Sequence, residues 1–128
     1  MRALLDTHVL IWGFEAPERI SRGARSVLED PASDLVWSVV GTVEMAMKVP
    51  LGKLRIPGTL DSFLEEQRAL MGLEILPVEQ RHALRLASLP PHHRDPFDRL
   101  LIAQAMAEGI PVVTSDARFR AYDVEVLW

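Results

Sequence analysis

Four acidic side chains stand where strand-like segments give way to helices. They are Asp6, Glu44, Asp98 and Asp116. In a parallel sheet such positions share one rim, where two carboxylates about 4 Å apart repel by about 1 kcal/mol in water and about 4 kcal/mol at an effective dielectric of about 20. A divalent cation removes that cost. An all-oxygen ligand set in a chain without cysteine suits Mg²⁺ or Mn²⁺ better than zinc, and such a centre offers metal-assisted hydrolysis.

Taken one at a time, the acids also have structural explanations. Asp6 is a good N-cap for a helix that begins at Thr7, and Asp116 is of a type common in loops. The segment around Glu44 is apolar nearly all round, which predicts a buried helix whose carboxylate needs a partner or a cation. Lys48, at the favourable i,i+4 spacing, is such a partner. The four acids together therefore favour a metal site more than any one of them does.

The segment from Asp95 to Asp98 has the pattern of a helix start. Asp95 fits the N-cap, Pro96 the first helical position, and Asp98 the acidic place of a capping box. The spacing also places the carboxylates of Asp95 and Asp98 near one face of the helix.

The histidines and tryptophans are predicted to be structural. His92 and His93 are adjacent, and adjacent residues seldom point the same way, so a polar loop is favoured over a metal-binding pair. His8 and His82 are expected to have structural roles. The tryptophans are expected in the core or at an interface rather than as base-stacking platforms; they are Trp12, Trp37 and Trp128.

Several basic side chains lie near the acids in sequence. Each one alone is typical of a solvated surface charge, but as a group they could hold phosphates around a metal. They are Lys48, Arg94, Arg99, Arg118 and Arg120.

The elements that must position these residues alternate along the chain. Strands are predicted at Arg2–Asp6, Asp34–Val40, Leu73–Pro77, Pro111–Thr114 and Val124–Leu127, and helices at Thr7–Phe14, Ser21–Glu29, Gly41–Val49, Leu60–Met71, Glu79–Ala87 and Pro96–Glu108. This alternation predicts an α/β domain with a mainly parallel sheet, in which ligands bind beyond the carboxyl ends of the strands.

The bulk composition sets wider limits. A chain of 128 residues with 48% hydrophobic and 25% charged residues predicts one globular domain over residues 1–128. The absence of cysteine excludes disulfides and thiolate metal sites and favours a cytoplasmic protein. No segment has the pattern of a signal peptide or a membrane span. The net charge of −4 argues weakly against a free-standing nucleic-acid binder, but acids around a metal contribute to that total.

Three runs resemble a known family. Leu4-Leu5-Asp6-Thr7-His8 resembles the opening of PIN domains, and the run from His93 to Ala105, HRDPFDRLLIAQA, resembles a hallmark of VapC-type toxins. Val113-Thr114-Ser115-Asp116, followed by Phe119 and Tyr122, resembles their final acidic segment. The likeness spans nearly the whole chain, and the central run is its most specific part.

The resemblance implies a three-layer α/β/α fold with a central, mainly parallel sheet of four to five strands. Asp6, Glu44, Asp98 and Asp116 would be the catalytic acids that hold Mg²⁺ or Mn²⁺. Supporting roles would fall to Asp95, Thr7, Thr114, Arg94 and Lys48. Relatives are typically homodimers that cut structured RNA such as tRNA, and a cognate antitoxin of the VapB kind silences them.

One segment departs from the family pattern. Relatives often carry a Ser and a Trp just ahead of the Glu, in an SxWE run, whereas this chain has Gly41-Thr42-Val43-Glu44. The acid and Lys48 are kept. The departure leaves the acidic quartet intact but puts the helix packing and a hydroxyl role at position 41 in question, for which Thr42 offers a partial substitute.

Two functions remain open on these residues. The first is a metal-dependent ribonuclease, the toxin of a toxin–antitoxin pair. The second is a non-catalytic interaction module whose acidic pocket receives an arginine from a partner. The two functions are separated by testing whether activity, and not only the melting temperature, depends on the ion. The melting temperature alone does not separate them, because a metal that binds the folded state stabilises either kind of protein.

Overall fold

A computed structural model describes all 128 residues. The strands are β1 (Arg2–Leu5), β2 (Asp34–Ser38), β3 (Glu74–Leu76), β4 (Val112–Val113) and β5 (Val126–Leu127). The helices are α1 (Thr7–Glu15), α2 (Arg22–Glu29), α3 (Val39–Lys48), α4 (Leu60–Met71), α5 (Gln80–Arg85) and α6 (Pro96–Glu108). Short 3-10 helices cover Pro17–Arg19, Leu86–Ser88 and Ala117–Ala121.

The strands form one parallel sheet in the order β3-β2-β1-β4-β5. Successive side chains of a strand point to opposite faces, so Ala3 and Leu5 of β1 enter one apolar cluster and Leu4 enters the other. The first cluster includes residues of α1, α2 and α4, and the second includes residues of α6. The predicted three-layer α/β/α fold with a parallel sheet of four to five strands is therefore confirmed.

Element boundaries differ from the predicted ones by a few residues. The second strand ends at Ser38 and not at Val40, because the Ser38 hydroxyl accepts a hydrogen bond from the Val40 N–H at 3.0 Å and caps α3. The strand predicted over Pro111–Thr114 extends only over Val112–Val113. The sequence pattern did not predict any of the 3-10 helices.

Helix α3 is not buried all round, contrary to the expectation from its composition. Val43 is 45% and Met47 57% exposed, whereas Val40, Glu44 and Met45 are buried. The burial of Glu44 thus follows from the face it occupies and not from a fully enclosed helix.

The departure at position 41 has a packing explanation. A Cβ atom added to Gly41 would lie 2.6 Å from Cζ2 of Trp37, so the indole occupies the space that a larger residue would need. The indole Nε1–H donates to the Thr42 hydroxyl at 3.0 Å. The Thr42 hydroxyl is therefore used in a hydrogen bond to Trp37 of β2, and the Trp37 ring leaves room only for a glycine at position 41.

None of the helices combines the length and the apolarity that a membrane crossing demands.

Candidate metal centre

A cavity of about 300 Å³ lies beyond the carboxyl ends of β1 and β4, beside the start of α6. Proteins with a parallel sheet bind their ligands at this edge of the sheet. Its lining residues are Asp6, His8, Trp12, Asp95, Asp98, Ser115, Asp116 and Arg118. Three of the four predicted metal-binding acids therefore face one space.

Asp6 is held at the end of β1 by both neighbouring elements. One carboxylate oxygen caps α1 by accepting the His8 N–H, and the other accepts the Thr114 hydroxyl at 2.8 Å. The Thr114 hydroxyl also accepts the N–H of Asp116 at 3.1 Å. Thr114, fully buried after β4, thus joins two of the acids through a single oxygen atom.

The Asp116 carboxylate forms an ion pair with the Arg118 guanidinium. Burial opposes its ionisation, but the Arg118 guanidinium, the Arg118 backbone N–H and the His93 imidazole outweigh burial and lower the pKa of Asp116 to about 2. The guanidinium binds both oxygens, each at 3.0 Å. Asp116 is therefore a carboxylate over the whole physiological range.

Asp98 has the opposite environment. Burial is the largest cause, and the neighbouring carboxylates follow in the order Asp6, Asp95, Glu44 and Asp116; together they raise the pKa of Asp98 to about 7. The other three predicted ligands are thus close enough to act on the ionisation of Asp98. A strongly raised carboxyl pKa in a cleft is typical of a functional site.

Glu44 reaches the cluster from α3 and does not line the cavity itself. Its Oε2 accepts from Lys48 Nζ at 2.5 Å, which confirms the pairing expected from the i,i+4 spacing. Its Oε1 is buried without any hydrogen-bond partner, and so is the Thr7 hydroxyl. Orphaned buried oxygen atoms are costly and call for a partner.

The residues present fit a hard divalent cation. The donors are carboxylate oxygens, and two buried oxygens lack partners. Burial, together with the neighbouring negative charges, raises the pKa of Asp98. Mg²⁺ and Mn²⁺ prefer oxygen ligands of this kind.

The start of α6 has the predicted cap with one difference. Asp95 is the N-cap, accepting the N–H groups of Phe97 and Asp98 at 2.8 and 3.2 Å, and Pro96 occupies the first turn. The N–H of Asp95, which a capping box would give to Asp98, donates instead to Nδ1 of His93 at 3.1 Å. The Asp98 carboxylate is thereby left to face the cavity.

Both His92 and His93 lie in a loop, as predicted, but His93 is not on its surface. Its side chain is fully buried, with Nε2 at 2.8 Å from Asp116 Oδ2 and 3.2 Å from Asp98 Oδ2. His92 is exposed, as expected for a loop. The signal that could have separated them is the position of His93 two residues before an N-cap aspartate, where an imidazole can accept the cap N–H.

Some of the other histidine and tryptophan side chains are buried, and others line the cavity. Trp37 and His82 are buried, as predicted. Trp12 and Trp128 pack against the first apolar cluster, as predicted, and Trp12 also lines the cavity. His8 lines the cavity with its side chain 46% exposed, and the Asp6 carboxylate, 3.8 Å from its Nδ1, is the largest cause of its raised pKa. The guanidinium of Arg19 covers the Trp12 ring at 4.1 Å from its centroid.

Of the five basic residues near the acids, two contact them: Lys48 binds Glu44, and Arg118 binds Asp116. Arg99 is structural, because its guanidinium donates to the carbonyl of Pro90 at 2.9 Å, to two other carbonyls of the same loop and to the Tyr122 hydroxyl. The remaining two are exposed and form no ion pair, so the supporting role predicted for Arg94 remains a prediction.

Solved structures of similar fold exist. The chain matches a chain of VapBC2 from Rickettsia felis, crystallised bound to a promoter DNA fragment, with a TM-score of 0.72, 18% identity and 100% of both chains covered. It matches a chain of a DNA-bound VapBC from Salmonella typhimurium with a TM-score of 0.69, 14% identity, and 98% and 96% of the two chains covered. At these identities the likeness establishes the fold.

Sequence comparison identifies the family. Ribonuclease VapC22 from Mycobacterium tuberculosis (strain ATCC 25618 / H37Rv) is 30% identical over 120 residues, which cover 93% of this chain and 90% of that protein. The model of the PIN domain matches residues 3–125. The chain therefore belongs to the PIN domain family, as the sequence motifs led us to expect.

Proposed function

We propose that this protein is a ribonuclease that depends on Mg²⁺ or Mn²⁺ and hydrolyses phosphodiester bonds of structured RNA such as tRNA. The main support is the convergence of four acids around Asp98, whose pKa of about 7 reflects burial among like charges. The similarity to a relative named as a ribonuclease gives independent support for the reaction class.

In this proposal Asp6, Glu44, Asp98 and Asp116 hold the ion, and Asp95 and Thr7 support them. When bound, a divalent cation polarises a phosphate oxygen and favours deprotonation of a water molecule. Thr114 keeps the Asp6 carboxylate turned toward Asp116 through its shared hydroxyl. The unpartnered Oε1 of Glu44 is the acceptor available for a proton.

The basic residues of the site have a second use in this proposal. Arg118 and Lys48 neutralise acids of the metal-free chain, since their cationic groups lie 3.0 Å and 2.5 Å from carboxylate oxygens. With an ion bound to the acids, the same groups would be free to contact phosphates of RNA. Arg118, whose side chain is 62% exposed at the cavity mouth, is the better placed of the two.

We further propose that the protein is a single-domain cytoplasmic toxin of a toxin–antitoxin pair, that it forms a homodimer, and that a VapB-like antitoxin silences it. The support is the similarity to chains of solved VapBC complexes and to the VapC22 ribonuclease. Copurification with the product of a neighbouring reading frame tests the antitoxin, and light scattering of the isolated chain tests the dimer.

The test of the reaction is cleavage of total tRNA by the purified chain with Mg²⁺ or Mn²⁺ and with EDTA. Asp6→Asn and Asp98→Asn should each abolish cleavage, whereas Asp61→Asn, on the exposed start of α4, should cleave as the wild type does. Undiminished cleavage by both site variants would contradict the proposal. Absence of cleavage by the wild type, together with metal-independent binding of an arginine-containing peptide, would favour the interaction module.

A further inference from the structure

His93 sits in the loop before α6, and its backbone is fixed independently of the acids. Its N–H donates to the hydroxyl of Tyr122 at 2.8 Å, and that hydroxyl donates to the carbonyl of Pro90 at 2.7 Å. The ring packs edge-on against Phe119 with 5.8 Å between centroids. These contacts hold the imidazole in one place, with no exposed surface.

The hydrogen bonds of the ring decide which nitrogen carries the proton. Nδ1 accepts the backbone N–H of Asp95 at 3.1 Å, so its lone pair is used and it holds no hydrogen. The proton of the neutral ring therefore lies on Nε2, which donates to Asp116 Oδ2 at 2.8 Å with Asp98 Oδ2 at 3.2 Å. A nitrogen that carries a hydrogen cannot ligate a metal, although the ligand atoms of His93, Asp98 and Asp116 lie within 4.8 Å of one another.

We propose that His93 is a positioning residue of the metal centre: its Nε2–H holds the Asp116 carboxylate beside that of Asp98, and the imidazole is not itself a ligand. This inference rests on the proposed function, because it assumes that the two carboxylates bind an ion. Outer hydrogen-bond partners of ligating carboxylates orient them in this way.

The other ring nitrogen has a separate effect on Asp98. Because Nδ1 takes the N–H of the N-cap residue Asp95, the carboxylate of Asp98 has no role in a capping box. One imidazole thus orients one acid directly and keeps a second acid available.

His82 provides a matched control within the same chain. It is also fully buried, its Nδ1 accepts the N–H of Glu79 at 3.0 Å, and its Nε2 lies 3.4 Å from a carboxylate oxygen of Glu108. It differs from His93 in that its carboxylate neighbours are outside the cavity. Replacing it removes a buried imidazole that matches His93 at Nδ1, whereas its Nε2 has no hydrogen-bond partner and contacts none of the proposed ligands.

The experiment has two readouts on the full chain. Long-range ¹H–¹⁵N correlation spectra of ¹⁵N-histidine-labelled protein, with and without Mg²⁺, report which ring nitrogen carries the proton. Titration calorimetry with Mn²⁺ measures the affinity of the wild type, His93→Gln, His93→Leu and His82→Leu. Glutamine places an N–H donor near the position of Nε2, and leucine fills space without one.

We expect His93 to carry its proton on Nε2 in both spectra. We expect His93→Leu to bind Mn²⁺ about 10- to 100-fold more weakly, which is the usual effect of losing an outer partner. His93→Gln should stay closer to the wild type than to His93→Leu, and His82→Leu should bind as the wild type does even if it melts lower.

Three outcomes would overturn the inference. A proton on Nδ1 in the Mg²⁺-loaded spectrum would make His93 a ligand, and unchanged affinity in His93→Leu would remove its role. If His93→Leu does not fold, equal weakening by His93→Gln and His82→Leu would show a general stability effect. A wild type that binds no Mn²⁺ would refute the proposed function itself, which the other outcomes leave standing.

Discussion

Replacing Asp98 with asparagine is expected to stabilise the metal-free protein while abolishing its reaction. In the wild type, burial and four neighbouring carboxylates raise the pKa of Asp98 to about 7. The folded chain therefore disfavours the charged form of this group. Asparagine keeps the shape of the side chain and carries no charge, so it relieves that repulsion.

The sign and size of the effect follow from the pKa. Between about pH 4 and about pH 7 the folded state holds a proton that the unfolded state has released, so stability falls as the pH rises, and the full loss is present above about pH 7. A rise in pKa from 3.8 to about 7 corresponds to about 4 kcal/mol at about 1.4 kcal/mol per pH unit. Because solvent still reaches part of the site and screens the charges, we expect about 2–3 kcal/mol.

The assay is urea unfolding in EDTA at about pH 8 and about pH 5, where the gain from Asp98→Asn should fall by more than half. Asp116→Asn is the control of opposite sign. The pKa of Asp116 is lowered to about 2, so its carboxylate stabilises the fold above the unfolded pKa and its loss should destabilise. Equal stability of Asp98→Asn and wild type at both pH values would refute the electrostatic reasoning, as would a gain that does not depend on pH.

Three further substitutions test other contacts of the site. Lys48→Gln leaves the buried Glu44 without its cation, so the metal-free chain should lose about 3–5 kcal/mol in urea unfolding, and added Mn²⁺ should recover part of it; no loss would contradict the pairing. Gly41→Ala places a methyl group 2.6 Å from the Trp37 indole and should cost about 1–3 kcal/mol with altered tryptophan emission, whereas the ordinary helix gain of alanine over glycine would show that the ring moves freely. Thr114→Val removes the hydroxyl that joins two acids and should cost about 1–3 kcal/mol and weaken Mn²⁺ binding in calorimetry, and unchanged binding would show that those acids need no such link.

The sequence could place the acids because local rules determine their positions. Asp6 and Asp116 follow apolar strands, and a parallel sheet brings the carboxyl ends of its strands to one edge. Asp98 follows an N-cap aspartate and a proline, which fix the first turn of α6. None of these placements depends on knowing which distant side chains meet.

The features that the sequence could not predict depend on contacts between residues that are far apart in the chain or on neighbouring elements. The burial of His93 follows from contacts with Tyr122 and Phe119, more than twenty residues away. The need for Gly41 becomes visible only when Trp37 of the preceding strand is placed over it. The apolar composition of α3 predicted full burial, but composition does not show which face of the helix has no element packed against it.

The central place of β1 in the sheet has a consequence for synthesis. This strand is translated before β4, one of its two neighbours in the sheet, which begins only at Val112. The hydroxyl that steadies Asp6 lies 108 residues further along the chain. A nascent or truncated polypeptide that stops before Val112 lacks both a sheet partner and an acid of the cluster, so the site assembles only once β4 and Asp116 have been translated.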